Sequence, residues 1–495
     1  MGSTFGAYNI AATGMYVNHS ALAVVSSNLS NINTSGYSRK QVAAAEQAVV
    51  LPGGQSSGTG VSLAEVRRAR DTLLDQTYRR ENGTASYWET KYNNFEAIQE
   101  TLSEFTANNT SSTSTASSNG LQQTLTDFFN AWGELAKDSS SESNRQLVVE
   151  DGCVLISTLQ DIDTQLAQMQ YIGSQKAADD VATLNDLAQQ VAKLNSQIMQ
   201  QELNGGEAGD LRDQRDQLLD QMSGLANITV SENANGVLEV DIGGVALVRG
   251  SDTRQLTAAG DGSGQNPLKV QWADLGMEAD ITSGSIKAWL EDADQSGVQD
   301  ITAFPYNFSA SSASSISNLR QGLNDLISTI AYEVNALHTS GKDLNGDPGV
   351  AFFVPVDASK PLSLSNIQVN PALDDPDKVV AGASGEAGDN TIATQIYNLT
   401  GEKDFEFDGL SMDMTGFYQG LVSWVATAGS DASGAYDTQN ALVMQVNNQR
   451  QAISAVSMDE EMSKMIMYQN AYGAAARVLS TIDSLIGGLI QDLGG

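Results

Sequence analysis

Apolar residues recur at every seventh position at both ends of the chain. Near the N-terminus Tyr8, Met15, Leu22 and Leu29 form one row, and Ala11, Asn18, Val25 and Ile32 form the row beside it. Alternating steps of three and four residues place both rows on one side of a helix. The opposite side carries Asn9, Thr13, Ser20 and Ser27, polar but uncharged, and Arg39 is the first charged residue of the chain. A helix without a charged face is suited to enclosure on several sides. Near the C-terminus Met458, Met465, Tyr472, Leu479 and Ile486 repeat the seven-residue step. Met462, Gln469, Ala476 and Ile490 lie four positions on, while Tyr468, Ala475, Ile482 and Leu489 lie three on and widen the stripe. Ser457 and Glu460 have capping-box spacing, with Asp459 and Glu461 adding negative charge to the first turn. At about 1.5 Å per residue each end makes a rod of roughly 35–55 Å. Neither rod can hide its own stripe, so the pattern predicts that the two ends pack together.

Between the ends the period changes repeatedly. Residues 64–105 read as helix, through Val66, Leu73, Leu74, Tyr78, Trp88, Phe95, Ile98 and Leu102, and a Ser/Thr/Asn tract at 106–120 reads as a linker. Helix resumes at Leu121, runs again from about Lys176, stops at Gly205-Gly206 and returns over Asp210–Leu225. After Asn227 the period is two: Leu238, Val240 and Ile242 alternate with Glu239 and Asp241, and Gly243-Gly244 is a two-residue hairpin signal. Helix is expected again at 314–337 and 436–456. The predicted fold class is mainly α with inserted β domains, in an elongated multi-domain chain that goes out and comes back. Residues 1–38 with 457–495 would form a terminal coiled coil. Residues 39–227 with 305–340 and 436–456 would form a helical bundle. The stretch 228–304 would be a β-rich insertion, and 341–435 a second outer module of mixed structure.

Composition narrows the function classes. Sixty acidic residues against 26 basic ones give a formal charge of −34, which disfavours nucleic acid and anionic lipid as partners. No run of 18 apolar residues predicts membrane insertion, and the start, MGSTFGAYNI, lacks a basic n-region and an apolar core, so no cleaved signal is expected. A single cysteine, Cys153, excludes an intrachain disulfide and reads as a buried small hydrophobe in a helix. Two histidines, His19 and His338, are too few for a multi-histidine metal centre; His19 reads as a packed residue and His338 as a cap on preceding carbonyls. Asp292-Ala-Asp294-Gln-Ser296-Gly297 and Asp343-Leu-Asn345-Gly-Asp347 imitate calcium loops, but Ala303 and Val354 stand where the closing Glu belongs, so both read as tight turns. No nucleophile elbow, phosphate loop or zinc-protease motif is present. The expectation is no catalytic residue, no metal and no cofactor.

Four stretches resemble one family. Asn28-Leu-Ser-Asn31-Ile-Asn-Thr34-Ser-Gly36-Tyr37-Ser38-Arg39 is similar to the N-terminal motif of the flagellar rod, hook and hook-associated proteins, and its Tyr-Ser-Arg ending is closer to the hook-associated branch than to the hook protein. Asp210-Leu-Arg-Asp213-Gln214-Arg215-Asp216 resembles that branch's Asp-Gln-Arg-Asp helix, and His338-Thr-Ser-Gly341 through Phe352-Phe353 resembles its His-x-x-Gly segment. Ser457-Met-Asp459-Glu460-Glu461-Met462, then Tyr468-Gln469 and Ala476-Arg477-Val478-Leu479, resemble its C-terminal signature. The resemblance implies a structural subunit at the junction of hook and filament, exported by the flagellar type III apparatus and lying outside the cell. It implies self-assembly in a ring or helix, contacts with the hook protein and hook-associated protein 3, and an export chaperone on the C-terminal helix. Hook, distal-rod and filament subunits remain alternatives within the resemblance, and a secreted hydrolase or adhesin with flagellar-type ends lies outside it.

Overall fold

The computed structural model describes residues 4–50, 56–102, 120–203, 206–233, 237–260, 268–294, 307–309 and 315–493. Helix α1 (Thr4–Ser30) is followed by an antiparallel hairpin of β1 (Lys40–Val50) and β2 (Ser56–Arg68), then by α2 (Thr72–Leu102). Helices α3 (Leu121–Lys137), α4 (Glu142–Glu202) and α5 (Gly209–Leu225) come next. A β-rich unit contains β3 (Ile228–Glu232), β4 (Leu238–Ile242), β5 (Val245–Arg249), β6 (Asp252–Thr253), β7 (Leu256–Ala259) and β8 (Lys269–Trp272), closed by α6 (Ser285–Asp292). The return path runs through β9 (Asn307–Phe308), α7 (Ser315–Ser340), β10 (Phe353–Val354), β11 (Gln368–Val369), α8 (Thr391–Asn398), β12 (Phe405–Phe407) and β13 (Leu410–Met412). It ends with α9 (Met414–Ser454) and α10 (Met458–Leu493).

Two apolar cores share α4 as a spine. In its first half Leu155, Leu159 and Leu166 pack with α3, α7, α8 and α9 and with the aromatic group of Phe128, Trp132, Phe352 and Phe353. In its second half Val181, Leu184 and Val191 pack with α5, α6 and the inner face of β4, β5 and β8, including Trp272. At 61 residues α4 is about 90 Å long, so one rigid rod joins both cores. The period-two reading of the β unit is borne out: Leu238, Val240 and Ile242 are buried while Glu239 and Asp241 are not. Gly243 and Gly244 both have positive φ, as a tight two-residue turn between β4 and β5 requires. Helix α7 is buried on all sides over its first half, and Gly322 lets it approach α9 so closely that a Cβ would strike Leu421. Residues of the 341–413 stretch, among them Phe352, Leu364, Val379 and Ile396, belong to the same core as α3, α4, α7 and α9.

Four readings need correction. Residues 64–68 are the end of a strand, and helix begins only at Thr72; Val66 pairs with Val42 across the hairpin. The helix expected from Lys176 is the second half of α4, which begins at Glu142. Helix α9 starts at Met414, 22 residues before the expected 436. Cys153 is exposed, because Gly152, Leu155 and Ile156 take the inward face of α4 and turn position 153 outward. The tract 106–119 lies outside the described residues, as do Ser296, Gly297 and Ala303 of the first acidic turn.

Candidate assembly interface

The two ends meet. Helices α1 and α10 run antiparallel, with Asn28 at the end of α1 against Glu461 at the start of α10 and the His19 ring 6.2 Å from that of Tyr472. The hairpin lies along another side of α1, where the Val61 amide donates to the Thr13 hydroxyl oxygen. A helix flanked by two neighbours has little use for charge, which accounts for the uncharged first 38 residues.

Of the two expected rows of α1, the one through Ala11 and Val25 lies on the buried line, and the other gives way to Ala21 and Asn28, each one position before Leu22 and Leu29. Ala11, Ala21, Val25 and Asn28 are buried, Met15, Asn18, Leu22, Leu29 and Ile32 are half-buried, and Tyr8 is exposed. Small residues on that line allow close approach, and the larger side chains flank it. On α10 Ile482 is buried and Met465, Tyr472, Ala476, Leu479 and Ile486 are half-buried. Met458, Met462 and Gln469 lie on the open side, together with Ile466 and Met467. The side chain of Ile490 lies outside the described residues. The pair therefore covers one side of α10 and leaves a second apolar side bare, with Ile466 at 57% exposure.

The N-terminal motif forms the elbow between this rod and the rest of the chain. Asn28 is fully buried and all its hydrogen-bonding capacity is used: its Nδ2 donates to the Lys40 carbonyl and to Glu461 Oε2, and its Oδ1 accepts from the Lys40 amide and the Tyr37 hydroxyl. Asn31 donates to the Ser27 carbonyl and accepts from the Thr34 hydroxyl. Gly36 sits at φ 76°, where a side chain would also collide with Gln217. Ser38 binds Asp213 through both its amide and its hydroxyl. Arg39 donates its amide to the Ser454 carbonyl and pairs with Glu460 at 2.8 Å. Glu460 is thus turned toward Arg39, while the Ser457 carbonyl accepts from the Glu461 amide at the start of α10.

A cluster of ion pairs fastens the elbow to the bundle. Arg68 at the end of β2 pairs with Glu207, Asp213 and Asp216, each at 2.8 Å. Arg70 pairs with Asp75 and Asp216, and Arg79 with Asp216 and Asp220. Arg450 near the end of α9 pairs with Asp75 and Asp220 and lies 4.1 Å over the Tyr78 ring. Burial alone would raise the Asp216 carboxyl, but Arg70, Arg68 and Arg79 overcome it and hold the group well below the usual carboxylate range. Arg215 of the same motif turns the other way, to Asn195 of α4 and Glu232 of β3. The cluster joins hairpin, α2, α5 and α9, and the sequence reading named only its α5 members.

Comparisons with known proteins agree with this architecture. The domain described as flagellar hook-associated protein FlgK helical domain matches residues 107–353. Residues 9–37 match the flagella basal body rod protein family, and 447–492 match the flagellar basal body rod FlgEFG protein C-terminal family. Flagellar hook-associated protein 1 of Bacillus subtilis is 28% identical, with 100% of this chain and 99% of that protein aligned. Over its whole length the chain is thus similar to flagellar hook-associated protein 1. The Escherichia coli member is 24% identical over 98% of this chain and 99% of its own length. The solved structure of the flagellar hook junction protein FlgK from Burkholderia pseudomallei shares the fold, with a TM-score of 0.61 and 15% identity over 77% of this chain and all of that one. The two rod-type matches fall on α1 and on α9–α10, so the paired ends are the part shared with other flagellar families.

His338, read as a cap on preceding carbonyls, makes a longer-range tie. Its Nδ1 bonds the Val350 carbonyl and its Nε2 accepts from the Val380 amide, which makes it a neutral ring at the meeting of α7 with the loops that follow. Asp343 Oδ1 accepts from the amides of Asn345 and Asp347, the geometry of a tight turn. Asp292 is engaged by Lys91, Asn94 and Ser315. Among the described residues no three potential metal-ligating side chains lie together, and no helix is long and apolar enough to cross a membrane.

Proposed function

We propose that this chain is a structural subunit of the bacterial flagellum that joins hook to filament, assembled through its terminal helices. The observation that carries the reading is the rod made from opposite ends of the polypeptide, of which a second apolar side stays bare in the single chain. Covering that side requires other subunits. The interface residues are the rows of α1 and α10, with the elbow motif of Asn28, Asn31, Thr34, Gly36, Tyr37, Ser38 and Arg39 setting where the rod leaves the bundle. In the assembly the terminal pair, residues 1–38 with 457–495, forms the inner layer. The helical bundle surrounds it, with the 341–435 region packed into the bundle's own core rather than forming a separate outer module, and the β-rich 228–304 unit lies further out. The partners in this reading are further copies of the chain in a ring or helix, the hook protein and hook-associated protein 3. An export chaperone on α10 shields its bare side before assembly, and export proceeds through the flagellar type III apparatus. The role is mechanical, with no catalytic step assigned to any residue.

Deletion of the coding sequence tests the reading. Cells should build hooks of ordinary length, fail to hold filaments and release unpolymerised filament subunits into the medium. Filaments that still attach to hooks would overturn it; loss of the hook itself would favour a hook or distal-rod subunit.

A further inference from the structure

The groove at the elbow, about 820 Å³, has an unusual lining for so acidic a chain. Six carboxamide residues line it: Asn31 and Gln217, which bond Ser27, Thr34 and Ser35 within the chain, and Asn33, Gln221, Asn447 and Gln451. Its charged groups, Arg70, Asp220 and Arg450, are held in the ion-pair cluster. The groove thus offers donors and acceptors without free charge. A carboxamide carries the same paired donor and acceptor as a peptide group, so such a lining matches a stretch of exposed backbone.

Charge indicates whose backbone. Copies carrying −34 each repel, and they meet with least opposition where both surfaces are neutral. Strand β1 supplies a nearly neutral surface: Ala44, Ala45, Gln47 and Ala48 are exposed beside Glu46, which is also exposed and is the one carboxylate of the strand. The Val61–Thr13 bond turns the outer edge of β2 toward α1. Among the described residues β1 pairs only with β2, so beyond Lys40, whose amide and carbonyl are held by Asn28, its other edge has no strand partner. Groove and edge both adjoin the α1–α10 rod. We propose that the amide-lined groove of one copy seats the open edge of β1 from a second copy, the carboxamides bonding its backbone. The inference rests on the self-assembly proposed above.

Two copies of the full chain, both with Cys153→Ser, are co-expressed, one with Ala45→Cys and the other with Gln451→Cys. Mild oxidation of hook–filament preparations should give a mixed disulfide dimer, and the soluble chains should give background only. If the chain is present in the preparations and no mixed dimer forms, the groove proposal is overturned while the junction reading stands. If the chain is absent from them, both fall. As a second arm, Gln221→Glu with Gln451→Glu places two carboxylates in the groove. Incorporation should fall at least about tenfold, with the unfolding transition of the soluble chain unchanged; undiminished incorporation would overturn the proposal.

Discussion

The side-chain amide of Asn28 donates to Oε2 of Glu461 across 2.9 Å, joining residues 433 positions apart at a point closed to solvent. The same amide group holds Lys40 and Tyr37, so one side chain ties α1, the start of the hairpin and α10. Asn28→Ala leaves the Glu461 carboxylate buried with one fewer donor, and Lys464 becomes its remaining side-chain partner. Loss of about 1–3 kcal/mol from the helix pair is expected. Hydrogen exchange should quicken in α1 and α10 and stay unchanged in α4 and α7; equal loss everywhere would count against a local tie.

Asp216 accepts from Arg68 and Arg79 and lies 3.1 Å from Arg70. Replacing it with Asn leaves three buried guanidinium groups short of their shared counter-charge, at a cost of about 3–5 kcal/mol. Its carboxyl is depressed in the folded chain, so its contribution is present above the ordinary carboxylate range and is lost as pH falls from that range down through the depressed folded value. Acid titration of the wild type should therefore loosen the elbow first, seen as proteolytic cutting near residues 35–60 and 440–460 ahead of the bundle. In Asp216→Asn that cutting should already occur at neutral pH.

How much of this could be read in advance depended on whether the signal was local. The repeats of α10 and the alternation around Val240 depend on neighbours a few residues apart, and both were legible. The hairpin was not: Ala43, Ala44, Ala45 and Ala48 give β1 no clear alternation, although Pro52-Gly53-Gly54 punctuates the stretch between its strands. The α1 stripe was legible as a stripe, yet its exact centre depends on which side the hairpin covers. Asp213 and Asp216 stood out within a motif, but Arg68, Arg70 and Arg79 come from one stretch far upstream and Arg450 from another far downstream, and nothing local links either to the acids. The amphipathic pattern of α4 thins around Gln168–Lys176, where polar residues dominate, so one long helix looked like the start of a new one.

Asp325 and His338, both on α7, oppose each other in pH dependence. Burial pushes the Asp325 carboxyl up to about 7 against the hydrogen bond from Gln321, and its Oδ2 has no partner. The unfolded chain ionises this group near 3.8, so its penalty is absent below that pH, grows above it and is complete beyond about 7. Burial pushes the His338 imidazole down to about 4; the bond to Val350 opposes this and Arg145 adds to it. That tie is intact above the ordinary 6.5 and is lost as pH falls toward 4. Asp325→Asn should stabilise the bundle by about 2–4 kcal/mol at pH 8 and by nothing at pH 3.5. His338→Ala should cost about 1–3 kcal/mol at pH 8, with the difference shrinking toward pH 4. Denaturant melts of the three proteins at both extremes check the signs.

The bare side of α10 separates folding from assembly. Leu22 and Leu479 are half-buried in the single chain, so truncation to Ala should cost little there, and roughly 2–5 kcal/mol of packing once other subunits enclose them. Ile466 makes the sharper case, because at 57% exposure a carboxylate in its place stays hydrated in the soluble chain. Ile466→Glu should shift the soluble melting transition by no more than about 0.5 kcal/mol, yet in the assembly it would bury an unpaired negative charge among subunits already rich in carboxylates. Quantifying the variant in hook–filament preparations against its soluble pool decides the matter. Normal incorporation of Ile466→Glu would mean that this side of α10 faces water in the flagellum, and the terminal rod would lose its role as the assembling element.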